Sequence, residues 1–241
     1  DGVGPMTRQL SELVTVLRRE GLLVAAPDVE LAVQGISADS RAVRPGELYV
    51  AVRGSQADGH RYAPHAVEHG AAVLVVVRPL GLGAIEVVVQ DGRLAALALA
   101  RAWYGDPAAR LTLLGITGTN GKTTTTALVR HLFNSRESAG SIGTLGAFDG
   151  RGAEVPSTAG SLTTPGPVDL QATFAALAAR GVTHVAMETS SHSLDQGRLD
   201  GLAFAAAIFT NLTRDHLDYH RTMEYYLAAK LKLSGLLAPG G

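Results

Sequence analysis

The sequence predicts an α/β protein with two domains: a small N-terminal α/β domain and a mostly parallel-sheet domain built around a phosphate-binding loop. Short apolar segments alternate with helix-compatible segments along the 241 residues. Residues 105–107, Gly-Asp-Pro, interrupt this alternation in a pattern typical of a linker. Residues 111–126, LTLLGITGTNGKTTTT, have the order strand, glycine-rich turn, helix. We therefore place the domains at residues 1–106 and 107–241.

The composition excludes several functional classes. Hydrophobic residues make up 46% of the chain and charged residues 18%, which is typical of a globular protein. The formal net charge of −1 does not favour nucleic-acid binding. The absence of cysteine excludes disulfides, thiolate catalysis and cysteine-ligated zinc. The longest aliphatic run, residues 71–77, is too short to span a bilayer, so we expect a cytoplasmic protein without membrane insertion.

In the first domain, the spacing of Leu10, Leu13, Val14 and Leu17 predicts an amphipathic helix, with Thr7 as its N-cap. The remaining elements follow from apolar runs and capping residues. Strands are predicted over residues 33–36, 47–52, 72–77 and 85–89, and helices over 62–69 and, after Asp91 as N-cap, over 93–104.

Two loops of this domain are unusually polar for their setting. Residues 37–41, SADSR, and residues 53–60, RGSQADGH, each follow a predicted strand. Both carry the backbone amides, hydroxyls and arginine that would suit a phosphate group, although each is also typical of an ordinary turn.

The second domain begins with the glycine-rich turn. Gly118 and Gly121 let backbone amides approach phosphate oxygens, and the following helix adds partial positive charge. Lys122 is expected to reach the β- and γ-phosphates, and the Thr123 hydroxyl to bind Mg²⁺. The strict phosphate-loop pattern is not met, because Ile116 stands where its first glycine belongs. The alternative is a glycine-rich turn with an incidental lysine.

Further strands and helices alternate after this turn. A polar loop is predicted over residues 157–167. Gly181 is expected to end the helix that is predicted over residues 168–180. The final helix begins at Thr222 as N-cap. One strand is predicted to end near residues 142–144, and two more are predicted over 184–188 and 205–209. Helices are predicted over residues 124–133 and 168–180. The final helix of the chain is predicted to contain Tyr226, Leu227, Lys230, Leu231 and Leu233.

Four predicted parallel strands end in polar groups, which should meet at one edge of the sheet. These groups are residues 118–123, Thr144, Glu188 and residues 211–216. Mg²⁺ prefers oxygen ligands with occasional help from histidine, so Glu188 and His216 are candidate ligands. The alternatives are a solvated carboxylate and a packed or capping histidine.

The basic residues are unevenly divided, with 18 arginines and only three lysines, Lys122, Lys230 and Lys232. This bias favours lysine where a primary amine is required, although an arginine-rich codon usage gives the same pattern. We expect Lys232 to be a solvent-facing helix residue.

Three motifs together resemble the ATP-dependent Mur ligases: GITGTNGKTTT, METSSHSLDQGR and FTNLTRDHLDYH followed by AAK. The sequence is most similar to the members that add the third amino acid to UDP-MurNAc-L-Ala-D-Glu. DSR and GSQADGHRY in the first domain resemble the uridine-nucleotide-binding domain of those enzymes. The resemblance covers nearly the whole chain.

The resemblance implies a role for each matching residue. The UDP end of the substrate would contact Ala38, Ser40, Ser55, Gln56 and Ala57, and the muramoyl-peptide part would contact Thr163, Thr164, Ser190, Gln196 and Arg198. ATP would bind Gly118, Thr119, Asn120, Gly121, Lys122, Thr123 and Thr124, with Asn211 close by. Mg²⁺ would bind Thr123, Glu188, His216 and a carbamylated Lys230. Lys122, Glu188, His216 and Lys230 would be the catalytic residues.

The implied reaction is an ATP-dependent amide-bond ligation in peptidoglycan precursor synthesis, through an acyl phosphate. The incoming amino acid would be meso-diaminopimelate or L-lysine. Family members carry a third, C-terminal domain, and this chain ends at Gly241, so we expect substrate binding with little or no ligation. Two alternatives stay open: a folylpolyglutamate synthetase or another Mur ligase, and a non-catalytic module that binds the UDP-muramoyl peptide.

Overall fold

A computed structural model describes residues 6–54, 57–156 and 162–240, which form two compact units, residues 1–105 and 106–241. The first unit is an α/β domain with seven strands and three α-helices among the described residues. They are β1 (Arg8–Gln9), α1 (Leu10–Arg19), β2 (Leu23–Ala25), β3 (Ala32–Val33), β4 (Ile36–Ser37), β5 (Leu48–Val50), α2 (Ala63–Glu68), β6 (Val73–Val76), β7 (Ile85–Val89) and α3 (Gly92–Tyr104).

The first unit is built on a five-stranded sheet in the order β2-β7-β6-β5-β4. Strands β4 to β7 are parallel and β2 is antiparallel at the edge. Every residue of β5 and β6 is buried, as expected for central parallel strands covered on both faces. The apolar side of α1, with Leu10, Leu13, Val14 and Leu17, is buried as its spacing predicts. Asp91 caps α3 by accepting from the Arg93 and Leu94 amides.

Two predictions for the first unit are wrong. Thr7 does not cap α1; the N-cap is Gln9, which makes no side-chain cap bond and belongs to β1. Pairing of β1 with β3 carries the chain into the helix, and the Leu10 amide donates to the Leu31 carbonyl (2.8 Å). The strand predicted over residues 33–36 is two short strands, because β3 pairs with β1 while β4 joins the main sheet.

The second unit contains a six-stranded sheet in the order β11-β10-β9-β12-β8-β13. Strands β9, β12, β8 and β13 are parallel, and β10 and β11 continue the sheet as an antiparallel extension. Its elements are β8 (Thr112–Thr117), α4 (Lys122–Phe133), β9 (Ala139–Gly143), β10 (Gly146–Phe148), β11 (Glu154–Val155), α5 (Pro167–Ala179), β12 (His184–Glu188), α6 (Ser191–Asp195), β13 (Phe204–Phe209), α7 (Leu217–His220) and α8 (Met223–Leu231).

The core of the second unit lies between the sheet and α5, where Phe174, Leu177, Val185 and Met187 are fully buried. Thr222 caps α8 by accepting from the Tyr225 amide, as its position predicts. The longest helices of the described chain, α3 and α5, have 13 residues each, and none meets the length and apolarity required of a membrane span.

The sequence missed α6, α7 and the β10–β11 hairpin, which are all short elements. The final helix ends at Leu231 rather than continuing through Leu233, because residues 232–236 tighten into a 3₁₀ turn. Lys232 is solvent-exposed as expected, with 50% of its side chain accessible, but it lies in this 3₁₀ turn rather than in the helix, and its Nζ is 2.7 Å from Asp195 Oδ1. Of the polar loop predicted over residues 157–167, residues 157–161 lie outside the described residues, residues 162–166 form neither helix nor strand, and Pro167 begins α5.

Candidate functional site

Four parallel strands of the second unit end at the same edge of its sheet. The glycine-rich turn follows β8, Thr144 follows β9, Glu188 ends β12 and Thr210 follows β13. In open parallel sheets the crevice outside these carboxyl ends is where ligands bind. The polar groups that the sequence predicts to meet are thus carried by four neighbouring strands.

The turn over residues 118–121 joins β8 to α4 through conformations that require glycine. Gly118 has φ +141° and Gly121 has φ +83°. A β-carbon on Gly118 would overlap the Thr210 hydroxyl, so the two segments approach too closely for any side chain. Gly121 is the N-cap of α4 and makes no side-chain cap bond, which leaves the amides of the first helical turn available to an anion.

The segment after β13 holds the turn in shape. The Asn120 amide donates to Asn211 Oδ1 (3.0 Å), and Asn211 Nδ2 donates back to the Asn120 carbonyl (3.1 Å). The Thr210 hydroxyl donates to the same carbonyl (2.6 Å). The Thr119 hydroxyl accepts from the Thr213 amide (3.0 Å). Sequence reasoning missed this role of Thr210 and Thr213, whose only signal is a polar run directly after an apolar strand.

Lys122 is the first residue of α4, and its side chain folds back over the turn. Its Nζ donates to the carbonyls of Gly118 and Thr119, both at 2.9 Å. Burial lowers the pKa of Lys122, while the carboxylates of Glu188 and Asp215 act in the opposite direction. The turn, the lysine and these acids therefore belong to one electrostatic environment.

Glu188 is a buried carboxylate whose oxygens both accept hydrogen bonds. Thr144 donates to it through its amide (3.0 Å) and its hydroxyl (3.1 Å), and the Thr163 hydroxyl lies 3.2 Å from that of Thr144. A β-carbon on Gly143 would overlap the Glu188 carboxylate, so this glycine makes room for it. Glu188 and Thr123 line one cavity of about 210 Å³. A carboxylate and a hydroxyl on one cavity are ligands that suit Mg²⁺.

Lys230 reaches the same turn from α8. Its buried Nζ donates to the Gly118 carbonyl (2.8 Å) and lies 4.4 Å from the centre of the Tyr226 ring. The Tyr226 hydroxyl in turn donates to the Thr119 hydroxyl (3.2 Å). Burial, followed by repulsion from Lys122, lowers the pKa of Lys230 to about 8.

His216 is the N-cap of α7, with φ +51°, and its Nε2 lies 3.6 Å from Asp215 Oδ2. Its ring meets that of His192 edge-on, with 4.9 Å between centres. Burial and then the neighbouring His216 and His220 lower the pKa of His192. Within the described part of the chain, no three histidine, aspartate or glutamate side chains form a preassembled metal site, so Glu188 and His216 are not members of one.

The side chains expected to contact a peptide in this unit are linked by hydrogen bonds. The Thr164 hydroxyl donates to the Glu188 carbonyl (3.0 Å) and accepts from the Ser190 amide (3.2 Å). Arg198 donates to the Thr164 carbonyl (3.1 Å) and twice to Gln196 Oε1 (3.0 and 2.6 Å). Burial lowers the pKa of Arg198, and no carboxylate of the described residues pairs with it. Its charge is thus available to an anion.

In the first unit, Ser40 is buried, and its hydroxyl lies 3.2 Å from His65 Nδ1. Ala38 is partly exposed on the same loop. Arg41 pairs with Asp39 through two contacts of 3.0 and 2.7 Å, and this hydrogen bonding lowers the pKa of Asp39. The arginine of this loop is therefore directed at its own loop, not presented as a free fork for phosphate.

The second polar loop of this unit is only partly described. Ala57 is partly exposed, whereas Ser55 and Gln56 lie outside the described residues. The loop ends at His60, a buried side chain whose Nδ1 lies 2.6 Å from Asp58 Oδ1. The Val77 amide, directly after β6, donates to His60 Nε2 (3.0 Å), and this bond holds the end of the loop against the first sheet.

Comparison with protein families gives two matches. Residues 116–241 match the Mur ligase middle domain, and residues 32–101 match the catalytic domain of the Mur ligase family. Two curated relatives share the name UDP-N-acetylmuramoyl-L-alanyl-D-glutamate–2,6-diaminopimelate ligase. The Rhizobium meliloti protein is 46% identical over 88% of this chain and 43% of its own length. The Geobacillus thermodenitrificans protein is 47% identical over 80% of this chain and 39% of its own length. The chain thus spans less than half the length of either relative.

Solved structures show the same fold. A structure of a UDP-N-acetylmuramoyl-L-alanyl-D-glutamate–2,6-diaminopimelate ligase matches 96% of this chain and 46% of its own, with a TM-score of 0.71 and 28% identity. A ligase structure from Acinetobacter baumannii, titled MurF, covers 98% of this chain and 48% of its own, with a TM-score of 0.64 and 20% identity. The second likeness speaks for the fold alone.

Proposed function

Since this chain belongs to the Mur ligase family, we propose that it contributes to an ATP-dependent ligase that joins an amino acid to the D-Glu of UDP-MurNAc-L-Ala-D-Glu. The observation that carries the proposal is the meeting of the glycine turn, Lys122 and Glu188 at one sheet edge. The names of the curated relatives favour diaminopimelate as the amino acid. Because the reaction consumes ATP, we assign it to the cytoplasm.

The first step of the proposal is triphosphate binding by the glycine turn. The uncapped amides at the start of α4 are donors for phosphate oxygens, and they act together with the helix dipole. Lys122 already donates to two turn carbonyls, so its ammonium is held at the mouth of the turn before any phosphate arrives. Exchange of those carbonyls for phosphate oxygens would need only rotation of the lysine side chain.

The second step is metal binding. Thr123 and Glu188 fit Mg²⁺ because both present oxygen to one cavity, and we propose that His216 and a carbamylated Lys230 complete the set. Bound Mg²⁺ supplies positive charge to the phosphates. Thr144 fixes the Glu188 carboxylate with two hydrogen bonds, so its position is set before binding. Carbamylation requires a neutral amine, which the lowered pKa of Lys230 favours.

The third step is binding of the peptide substrate. We propose that Ala38, Ser40 and the loop with Ser55, Gln56 and Ala57 contact the UDP end in the first unit. In the second unit, Arg198 has a half-buried positive charge that no carboxylate of the described residues pairs, and it donates to the Thr164 carbonyl and to Gln196. We propose that Thr163 and Ser190 also contact the peptide part; the Ser190 amide is hydrogen-bonded to the Thr164 hydroxyl. This combination suits a ligand that is both anionic and rich in hydrogen-bonding groups.

The chemistry is acyl activation followed by aminolysis. The D-Glu carboxylate oxygen forms a bond to the γ-phosphorus of ATP as the bond to the β-phosphate oxygen breaks, and ADP leaves. The amine of the amino acid then attacks the acyl carbon, loses a proton and expels phosphate. Both reactants of the first step are anions, so the chain has mainly to neutralise charge and align them. Lys122 and the turn amides serve this role.

Loss of Lys122 tests the proposal. Lys122→Ala should lower ligation by about 10²–10³-fold, the usual effect of removing one strong electrostatic donor. Ligation is measured with the complete gene product, and ATP affinity is measured by calorimetry on the present chain. Arg136→Ala is the matched control, because it removes an exposed positive charge just beyond α4. Near-normal ligation in Lys122→Ala would refute the assignment. Binding of folate in place of UDP-MurNAc-L-Ala-D-Glu would favour the alternative ligase.

A further inference from the structure

A chain of side-chain hydrogen bonds runs from Arg198 to Lys232. Arg198 donates twice to Gln196 Oε1 (3.0 and 2.6 Å), and Gln196 Nε2 points to the Tyr219 hydroxyl at 3.5 Å, the longest link. The Tyr219 hydroxyl donates to Asp195 Oδ2 (3.0 Å). Lys232 donates to Asp195 Oδ1 (2.7 Å). The chain joins α6 and the residues after it to α7 and to the turn that follows α8.

The direction of every bond in this chain is fixed by chemistry. A guanidinium and an ammonium can only donate, and a carboxylate can only accept. Arg198 therefore takes the oxygen of the Gln196 amide, which turns the amide nitrogen towards Tyr219. Asp195 takes the Tyr219 proton, which leaves the phenol oxygen to accept from that nitrogen. The amide of Gln196 thus has one favoured orientation, defined from both ends.

The arrangement contributes little to folding stability. Lys232 is 50% exposed and Asp195 36% exposed, and such surface ion pairs are worth little. The hydrogen-bonded chain instead fixes the orientation of the Arg198 guanidinium plane. The guanidinium donates to Gln196 on one side and to the Thr164 carbonyl (3.1 Å) on the other. Since no carboxylate neutralises it in the described residues, the guanidinium stays charged and oriented for an anionic ligand.

We propose that Tyr219, Asp195 and Lys232 are positioning residues that orient Gln196 and thereby aim Arg198 at the anionic part of the peptide substrate. This inference rests on the proposed function, because it takes UDP-MurNAc-L-Ala-D-Glu as the ligand. Tyr219 belongs to the DHLDYH motif, in which the proposed metal site uses His216 and leaves Tyr219 without a role. None of the three positioning residues touches the substrate in this proposal.

The test is a double-mutant cycle on the present chain, with calorimetric titration of UDP-MurNAc-L-Ala-D-Glu and, separately, of ADP. Tyr219→Phe removes the hydroxyl that accepts from Gln196 Nε2 and should weaken UDP-MurNAc-L-Ala-D-Glu binding about three- to tenfold, with ADP affinity unchanged. The same substitution in an Arg198→Ala background should have no further effect, because the residue acts through Arg198. Lys232→Arg should keep wild-type affinity. Tyr225→Phe, at a 68% exposed tyrosine of α8, is the matched control.

The outcomes separate the two proposals. If the wild-type chain does not bind UDP-MurNAc-L-Ala-D-Glu, the proposed function fails and this inference with it. If the wild-type chain binds and Tyr219→Phe binds equally well, only the inference fails. Equal weakening by Tyr219→Phe with and without Arg198 would also overturn it, since that result indicates a general structural role. Should Tyr219→Phe not fold, Asp195→Asn replaces it in the cycle, because it alters a partly exposed carboxylate and should weaken binding in the same way.

Discussion

Gly118→Ala should destabilise the second unit through two separable effects. With φ +141°, this residue is in a region that costs an L-residue about 1–3 kcal/mol of strain. The new β-carbon would also overlap the Thr210 hydroxyl and lie 3.1 Å from the Asn211 amide nitrogen, and overpacking of this kind costs about 1–3 kcal/mol. The total is on the order of 2–6 kcal/mol of unfolding free energy.

Gly181→Ala is the matched control in the same unit. Gly181 also has positive φ, +77°, but a β-carbon there would meet nothing within 4 Å. It should therefore show the backbone strain of a left-handed position without a steric contact. The larger loss in Gly118→Ala, by about 2 kcal/mol, reflects the contact with Thr210 together with the less accessible φ of +141°. With a urea slope of about 1–3 kcal/mol per molar, that difference shifts the midpoint by roughly 1 M.

Urea unfolding followed by circular dichroism measures both variants. Fluorescence of Trp103, the single tryptophan, reports on the first unit and serves as an internal reference. We also expect Gly118→Ala to lower ADP affinity, since displacement of Thr210 releases the Asn120 carbonyl that it binds (2.6 Å). If the two variants unfold at the same urea concentration, the close approach of the turn to Thr210 is not what requires glycine.

Two further predictions concern the acid and the second lysine. Gly143→Ala should push the Glu188 carboxylate away from the Thr144 amide. It should weaken Mg²⁺-dependent nucleotide binding about tenfold or more and leave metal-free ADP binding unchanged. Calorimetry with and without Mg²⁺ measures both affinities, and an equal loss of affinity in the two conditions would contradict the prediction. Carbamylation of Lys230 needs the neutral amine, and a pKa lowered to about 8 means that the neutral form prevails above that pH instead of above the ordinary 10.5. The carbamate signal from ¹³C-bicarbonate should therefore rise through pH 8 and level off, and Lys230→Arg should abolish it; a rise that continues towards pH 10.5 would contradict the lowered pKa.

The glycine turn was predictable because its signals are local. Strand, glycines, lysine and helix follow one another within residues 111–126, and the φ values of Gly118 and Gly121 account for the two glycines. The clamp on that turn was not predictable, because Thr210 and Asn211 are about 90 residues away and meet it only since β13 pairs with β8. Sheet order is a non-local property that alternating strands and helices leave open.

Misplaced element ends have the same origin. Thr7 has the right chemistry for a cap, but pairing of β1 with β3 carries extended backbone up to Gln9 and moves the start of the helix. The predicted final helix was extended past Leu231 to Leu233, whereas residues 232–236 form a 3₁₀ turn in which Lys232 pairs with Asp195. In both cases a contact between distant segments outweighs a local preference.

The two lysines of the site explain how one pocket can suit both an anion and a cation. Lys122 and Lys230 both donate to the Gly118 carbonyl, at 2.9 and 2.8 Å. Burial is the main cause that lowers the pKa of each lysine. With both amines charged, the edge of the sheet carries positive charge suited to a triphosphate. Carbamylation of Lys230 would replace one positive charge with a negative one and remove its repulsion of Lys122. The pocket would then hold an ammonium for phosphate and two carboxylates, Glu188 and the carbamate, for a metal. An arginine at position 230 would not allow this, because a guanidinium stays protonated and cannot be carbamylated.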